Sequence, residues 1–90
     1  MHVAAAPRVM ARLASGTIVA RVRPRRIGAT AVLQRYDRER FAWRTISRSV
    51  VGPRSRVRIV LPPKASGHYR LVVRGHDGWA DGASRAIAVG

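Results

Sequence analysis

Arg54-Ser55-Arg56-Val57-Arg58-Ile59-Val60-Leu61 is the most cleanly alternating stretch of the chain. Val57, Ile59 and Leu61 fall on one side of an extended backbone and Arg56 and Arg58 on the other, because successive side chains of a strand point to opposite faces. Pro62-Pro63 ends the run and blocks further pairing. Upstream, Thr17-Ile18-Val19-Ala20-Arg21-Val22-Arg23 repeats the pattern, with Ile18, Ala20 and Val22 opposed to Arg21 and Arg23, and Pro24 as the stop. Downstream, Gly67 opens a strand over residues 68–74 that sets Tyr69, Leu71 and Val73 against Arg70, Val72 and Arg74.

Working outward, residues 10–13 read as a short first strand ended by Ser15-Gly16. Residues 29–35 read as a third, with Ala31 and Leu33 opposed to Thr30, Val32 and Gln34. Residues 41–48 read as a fourth, with Trp43 and Thr45 on one face and Arg44, Ile46 and Arg48 on the other; residues 84–89 are the last. Ile27-Gly28, the charged connection 36–40, Gly52-Pro53 and the Gly/Asp-rich loop 75–82 punctuate them at fairly even spacing, the mark of an all-β chain. A helix fits nowhere, since the best stretch for one, residues 3–13, is interrupted by Pro7. Seven short strands with one-sided apolar patterning predict an antiparallel sandwich of two sheets, with a small β-barrel as the alternative. Residues 1–7 are expected to be a disordered segment ahead of a single domain over 8–90.

Composition narrows the function. The chain has 90 residues, 47% of them hydrophobic, enough to fold but with room for only one thin core and no sizeable buried cofactor. It has no cysteine, which removes a disulfide framework, a thiol nucleophile and a Cys-ligated zinc site, and is neutral about compartment. No apolar run approaches the ~20 residues that span a bilayer. Residues 1–8 lack the basic and apolar regions of a secretion signal, so the chain is expected either to stay inside the cell or to be a piece of a longer exported protein. Eighteen basic residues against four acidic give a net charge of +14, a field that attracts polyanions. All the basic residues but Lys64 are arginine. Arginine suits bidentate recognition of phosphate and carboxylate, but GC-rich codons would raise Arg together with the abundant Ala, Val and Gly.

Gly67-His68-Tyr69-Arg70-Leu71-Val72-Val73 resembles the sixth strand of immunoglobulin-like and fibronectin type III-like sandwiches, where such a stretch carries a tyrosine corner. Residues 16–22 resemble the second strand. Val32-Leu33-Gln34-Arg35 followed by Phe41-Ala42-Trp43-Arg44-Thr45-Ile46 resembles a recurring hairpin, and residues 82–89 resemble the seventh strand. In that order they are similar to the Ig-like repeats of secreted and cell-surface proteins of high-GC bacteria. The resemblance implies a seven-stranded sandwich serving as a spacer, adhesion or accessory module beside neighbouring domains of a longer chain. It also implies a Tyr69 hydroxyl bonded to upstream backbone beside Gly67, a bond whose loss would cost roughly 1 kcal/mol.

The candidate binding set is Arg21, Arg23, Arg44, Arg48, Arg56, Arg58, Arg70 and Arg74, with Arg85, all on predicted outward faces. Across neighbouring strands, like charges destabilise one another by ~0.2–1 kcal/mol a pair, strain that a polyanion would relieve. The expected partner is an anionic polymer, of the cell wall or a nucleic acid, although no known nucleic-acid motif is visible. Without a bound partner, the same arginines serve as a solubilising surface. Trp79 and Tyr36 could stack on a sugar or base, or simply pack; packing is preferred, since an exposed Trp is costly. Trp43 reads as core. His76, Asp77 and Asp81 lack a metal-ligand rhythm and read as parts of a solvated hairpin loop, with Asp77-Gly78 and Asp81-Gly82 as its turns. Ser66, His68 and Asp77 contain the atoms of a triad, but nothing in the sequence brings them together. Asp37 and Glu39 lie between Arg35, Arg38 and Arg40 and read as ion-pairing loop residues rather than as an acid/base pair. No enzyme and no cofactor are expected.

Overall fold

In the computed structural model, which describes residues 5–75 and 79–90, the alternating segments form eight strands: β1 (Arg8–Ala14), β2 (Thr17–Arg23), β3 (Thr30–Asp37), β4 (Ala42–Val50), β5 (Arg56–Val60), β6 (Gly67–Val73), β7 (Gly82–Ala83) and β8 (Ile87–Val89). A 3-10 turn at Pro53–Ser55 occupies the place expected for the start of the fifth strand. The strands pair antiparallel in two sheets. One has the order β1-β2-β5; the other runs β4-β3-β6, with β7 and β8 both paired to β6. The sheets do not close on each other, so the barrel alternative does not hold among the described residues.

The core lies where the alternation puts it. Val9, Ile18, Ala20, Val22 and Val57 from the first sheet meet Ala31, Leu33, Tyr69, Leu71 and Val73 from the second. Ile18, Val22, Leu33 and Leu71 are at most 1% exposed.

The count of eight rather than seven has a local cause. On β6 two residues separate the partners of Ala83 and Ile87, whereas three lie between Ala83 and Ile87 themselves. The extra residue is a β-bulge; of the strand expected over 84–89 only Ile87–Val89 is found, as β8, and Gly82–Ala83, at the expected end of the 75–82 loop, forms β7. Ser84 fills the gap: its Oγ accepts from Leu71 N at 2.9 Å, and its N donates to Leu71 O at 2.8 Å.

A second bulge overturns the expectation for Trp43. Leu33 pairs with Ser47 but Gln34 with Thr45, leaving Ile46 unpaired. A one-residue slip moves every side chain beyond it to the other face. Trp43 therefore stands opposite Tyr36 on the outer face, half-buried, instead of in the core. Arg44 and Arg48, expected on one face, are parted by the same slip, because their partners Arg35 and Val32 have opposite parity on β3. Val32 and Val72 are a further departure. They face away from the core, yet they are 1% and 6% exposed.

Residues 5–7 fall in the segment expected to be disordered. In the structure Pro7 is buried and the Ala5 carbonyl accepts from Ala80 N at 2.9 Å. Gly82 permits this, because a Cβ there would collide with the Pro7 carbonyl.

Candidate functional site

The outer face of the three-stranded sheet is built by parity. Val9 and Ala11 turn inward, so Arg8, Met10 and Arg12 turn outward; on β2 the outward set is Arg21 and Arg23 with Val19, and on β5 it is Arg56 and Arg58. Register then sets them side by side. Arg8 pairs with Arg23, Arg21 stands between Met10 and Arg56, and Val19 stands between Arg12 and Arg58. Arg8 and Arg23, and Arg21 and Arg56, are one strand spacing of ~4.8 Å apart, Arg12 and Arg58 are two, and rows follow at ~6.8 Å, two residues along a strand. Arg8, Arg12, Arg21, Arg23, Arg56 and Arg58 are six exposed guanidinium groups, and among the described residues none has an acidic partner. A shallow depression lined by Met10, Arg12, Val19, Arg21 and Arg56 runs between them.

The end of this face is held by Ser55. Its buried Oγ donates to Val22 O at 2.7 Å and accepts from Arg26 N at 3.0 Å. These bonds tie the 3-10 turn to the end of β2 and to the following loop.

The arginines of the other sheet are differently placed. Arg44 lies 3.6 Å from Asp37, and Arg74 lies 3.5 Å from Asp81. Arg70 Nε donates to Gln34 Oε1 at 2.8 Å, and its guanidinium sits 4.5 Å from the Trp43 ring centroid. Gln34 Nε2 in turn donates to Thr45 Oγ1 at 3.4 Å, and Tyr36 meets Trp43 edge-on at 5.3 Å. Of the candidate arginines, the fold thus brings Arg21, Arg23, Arg56 and Arg58 together and puts Arg44, Arg48, Arg70 and Arg74 elsewhere. Sequence reasoning missed Arg8 and Arg12, although their alternation with Val9 and Ala11 is the same signal read in β2 and β5.

Trp79 is half-buried, and the Arg26 guanidinium lies 5.1 Å from its ring centroid. Tyr69 is buried, but among the described residues its hydroxyl makes no hydrogen bond to the upstream backbone. The corner is held instead by Arg35, whose Nε donates to Ser66 O at 2.9 Å. Gly67, at φ +108°, leaves room for that guanidinium, since a Cβ there would stand 3.0 Å from Arg35 Nε.

Asp37 Oδ1 accepts from Glu39 N and Arg40 N, so it caps a turn. Asp81 accepts from Gly75 N at 2.6 Å and closes its loop. His76 and Asp77, read above as parts of a hairpin loop and weighed as ligands or triad members, lie outside the described residues. Among the described residues, no three of His, Cys, Asp and Glu cluster to hold a metal, and no helix is long and apolar enough to cross a membrane. Comparison with family models, curated proteins and solved structures yields no match for this chain.

Proposed function

We propose that the chain is a non-catalytic module of the immunoglobulin-like, fibronectin type III-like kind that docks on an anionic polymer through its β1-β2-β5 face. The observation that carries this reading is the pairing of Arg8 with Arg23 and of Arg21 with Arg56, beside Arg12 and Arg58, on a face with no acidic neighbour among the described residues. Such an arrangement raises the free energy of the isolated domain and is relieved when counter-ions or a polyanion settle on it. The strand order supports the class of module. Constant-type Ig sandwiches put the first, second, fourth and fifth strands in one sheet and the third, sixth and seventh in the other, and this chain departs from that at its fourth strand alone. β1, β2 and β5 against β3, β6 and the bulged β7–β8 pair follow that division, with β4 beside β3.

The resemblance to envelope repeats favours a wall polymer as partner and the cell envelope as setting, with neighbouring domains in a longer exported chain. A titration of the folded domain against an anionic wall polymer, duplex DNA and single-stranded RNA tests it, at low and then near-physiological salt. Wall-polymer binding is expected to persist at the higher salt while the other two fall steeply. Loss of all three at physiological salt overturns the docking role, and selective retention of a nucleic acid replaces it with a nucleic-acid-binding one.

A further inference from the structure

The arginine face is not uniform. At the end where β2 leaves the sheet and the 3-10 turn enters β5, a depression of about 220 Å³ is lined by Arg21, Arg23, Arg25, Arg54, Arg56 and Ser55. Two of these arginines come from turns. Arg54 sits in the 3-10 turn with φ 63° and ψ 17°, and Ser55 beside it has φ 57°. A side chain with a Cβ adopts this left-handed region only at a conformational cost, so two such residues in succession mark a backbone held by its surroundings. The hold is visible in the Ser55 Oγ bonds to Val22 O and from Arg26 N. The result is a held backbone that sets Arg54 at a depression already lined by like charges.

We infer that this depression is a phosphate subsite, in which Arg54 and Arg25 close on a phosphate group carried by the polyanion that lies along the β1-β2-β5 face. The inference rests on the polyanion reading of the face and names the group recognised. The chemistry selects phosphate over carboxylate by acceptor count. A planar carboxylate has two oxygens and one charge, and is saturated by one or two guanidinium forks. A terminal phosphate offers three strong acceptor oxygens and close to two negative charges, which suits several convergent forks. The volume, several times the ~30 Å³ share of one water, admits such a group with part of its hydration.

The test uses the whole chain and small probes at near-physiological salt. Inorganic pyrophosphate, short-chain polyphosphate and citrate, a tricarboxylate, are titrated by calorimetry, and the anionic wall polymer is titrated alongside. Pyrophosphate is expected to bind at least tenfold more tightly than citrate. Arg54→Gln and Arg54→Lys each lose that margin, the latter because the charge stays but the fork goes, while Arg48→Gln, on the other sheet and away from the face, changes pyrophosphate binding by less than twofold. Arg54→Gly guards against a folding artefact. Glycine tolerates φ 63° without strain, so this variant keeps or raises the denaturation midpoint and still loses the margin. Equal binding of pyrophosphate and citrate overturns the subsite, as does full pyrophosphate binding by Arg54→Gly. If polymer binding survives either result, the face reading stands and only the subsite falls. If pyrophosphate binds selectively but no polymer does, the face reading falls and the subsite stands. Polyphosphate binding well above pyrophosphate overturns the terminal-phosphate subsite, since an internal unit has two free oxygens and one charge like a carboxylate, and equal binding supports it.

Discussion

The two outward faces of this molecule use their arginines differently. On the β4-β3-β6 face and its rim, Arg44, Arg70 and Arg74 are each engaged, with Asp37, with Gln34 and Trp43, and with Asp81. On the β1-β2-β5 face the arginines stand opposite one another, as Arg8 does with Arg23 and Arg21 with Arg56. Asp37, Glu39 and Asp81 all belong to the first surface or to the loops around it. Net charge therefore overstates the interacting surface, and what distinguishes a candidate site is a charge without an internal partner.

The contrast can be broken most sharply by moving charge. Replacing Arg21, Arg56 and Arg58 together by Gln is expected to lower polyanion affinity by ~100-fold, about 2.7 kcal/mol, and to flatten the salt dependence by about three phosphate contacts. The matching replacement of Arg48, Arg70 and Arg74 is expected to change affinity by only a few-fold. Equal losses for the two triple variants, measured by titration at several salt concentrations, would dissolve the distinction between the faces.

A smaller effect bears on what holds the first face in shape. Ser55→Ala leaves the Val22 carbonyl and the Arg26 amide without their buried partner, and is expected to cost ~1–3 kcal/mol in a denaturant melt. An unchanged midpoint would show that Ser55 does not hold the 3-10 turn to the end of β2. Smaller still is the strain itself. Arg21→Gln or Arg56→Gln alone is expected to raise stability by ~0.2–1 kcal/mol at low salt, the gain fading near 0.15 M salt as screening takes over. On the other face the Trp43–Arg70 pair should show a coupling of ~0.5–1 kcal/mol in a double-mutant cycle.

Much of this was legible in the sequence. The span of β2 follows from alternation between Gly16 and Pro24, and the inward set Val57, Tyr69, Leu71 and Val73 is the one found buried. What could not be read were single-residue departures from period two. The bulge at Ile46 has no glycine to announce it, yet it carries Trp43 from the expected core to the outer face. The bulge beside Ser84 parts β7 from β8. The division of the arginines between faces was equally hidden, because parity within a strand says nothing of which sheet the strand joins. Tyr69 illustrates a different limit: the residue is buried as expected, but among the described residues its hydroxyl makes no bond to the upstream backbone, where the Ser66 carbonyl accepts from Arg35 Nε. Tyr69→Phe is accordingly expected to cost under ~0.5 kcal/mol, the smallest effect here, and a loss above 1 kcal/mol would restore the tyrosine corner.

The bulge at Ile46 also bears on self-association. β4 is the outer strand of its sheet and runs for nine residues, long enough to template a second copy along its open edge. With Ile46 out of register, that edge changes phase partway along and bends, so no straight partner strand can follow it from end to end. Arg44 and Arg48 flank the break and repel the same residues of an approaching copy. A domain that presents so much unpaired backbone thus carries its own guard against stacking into fibres.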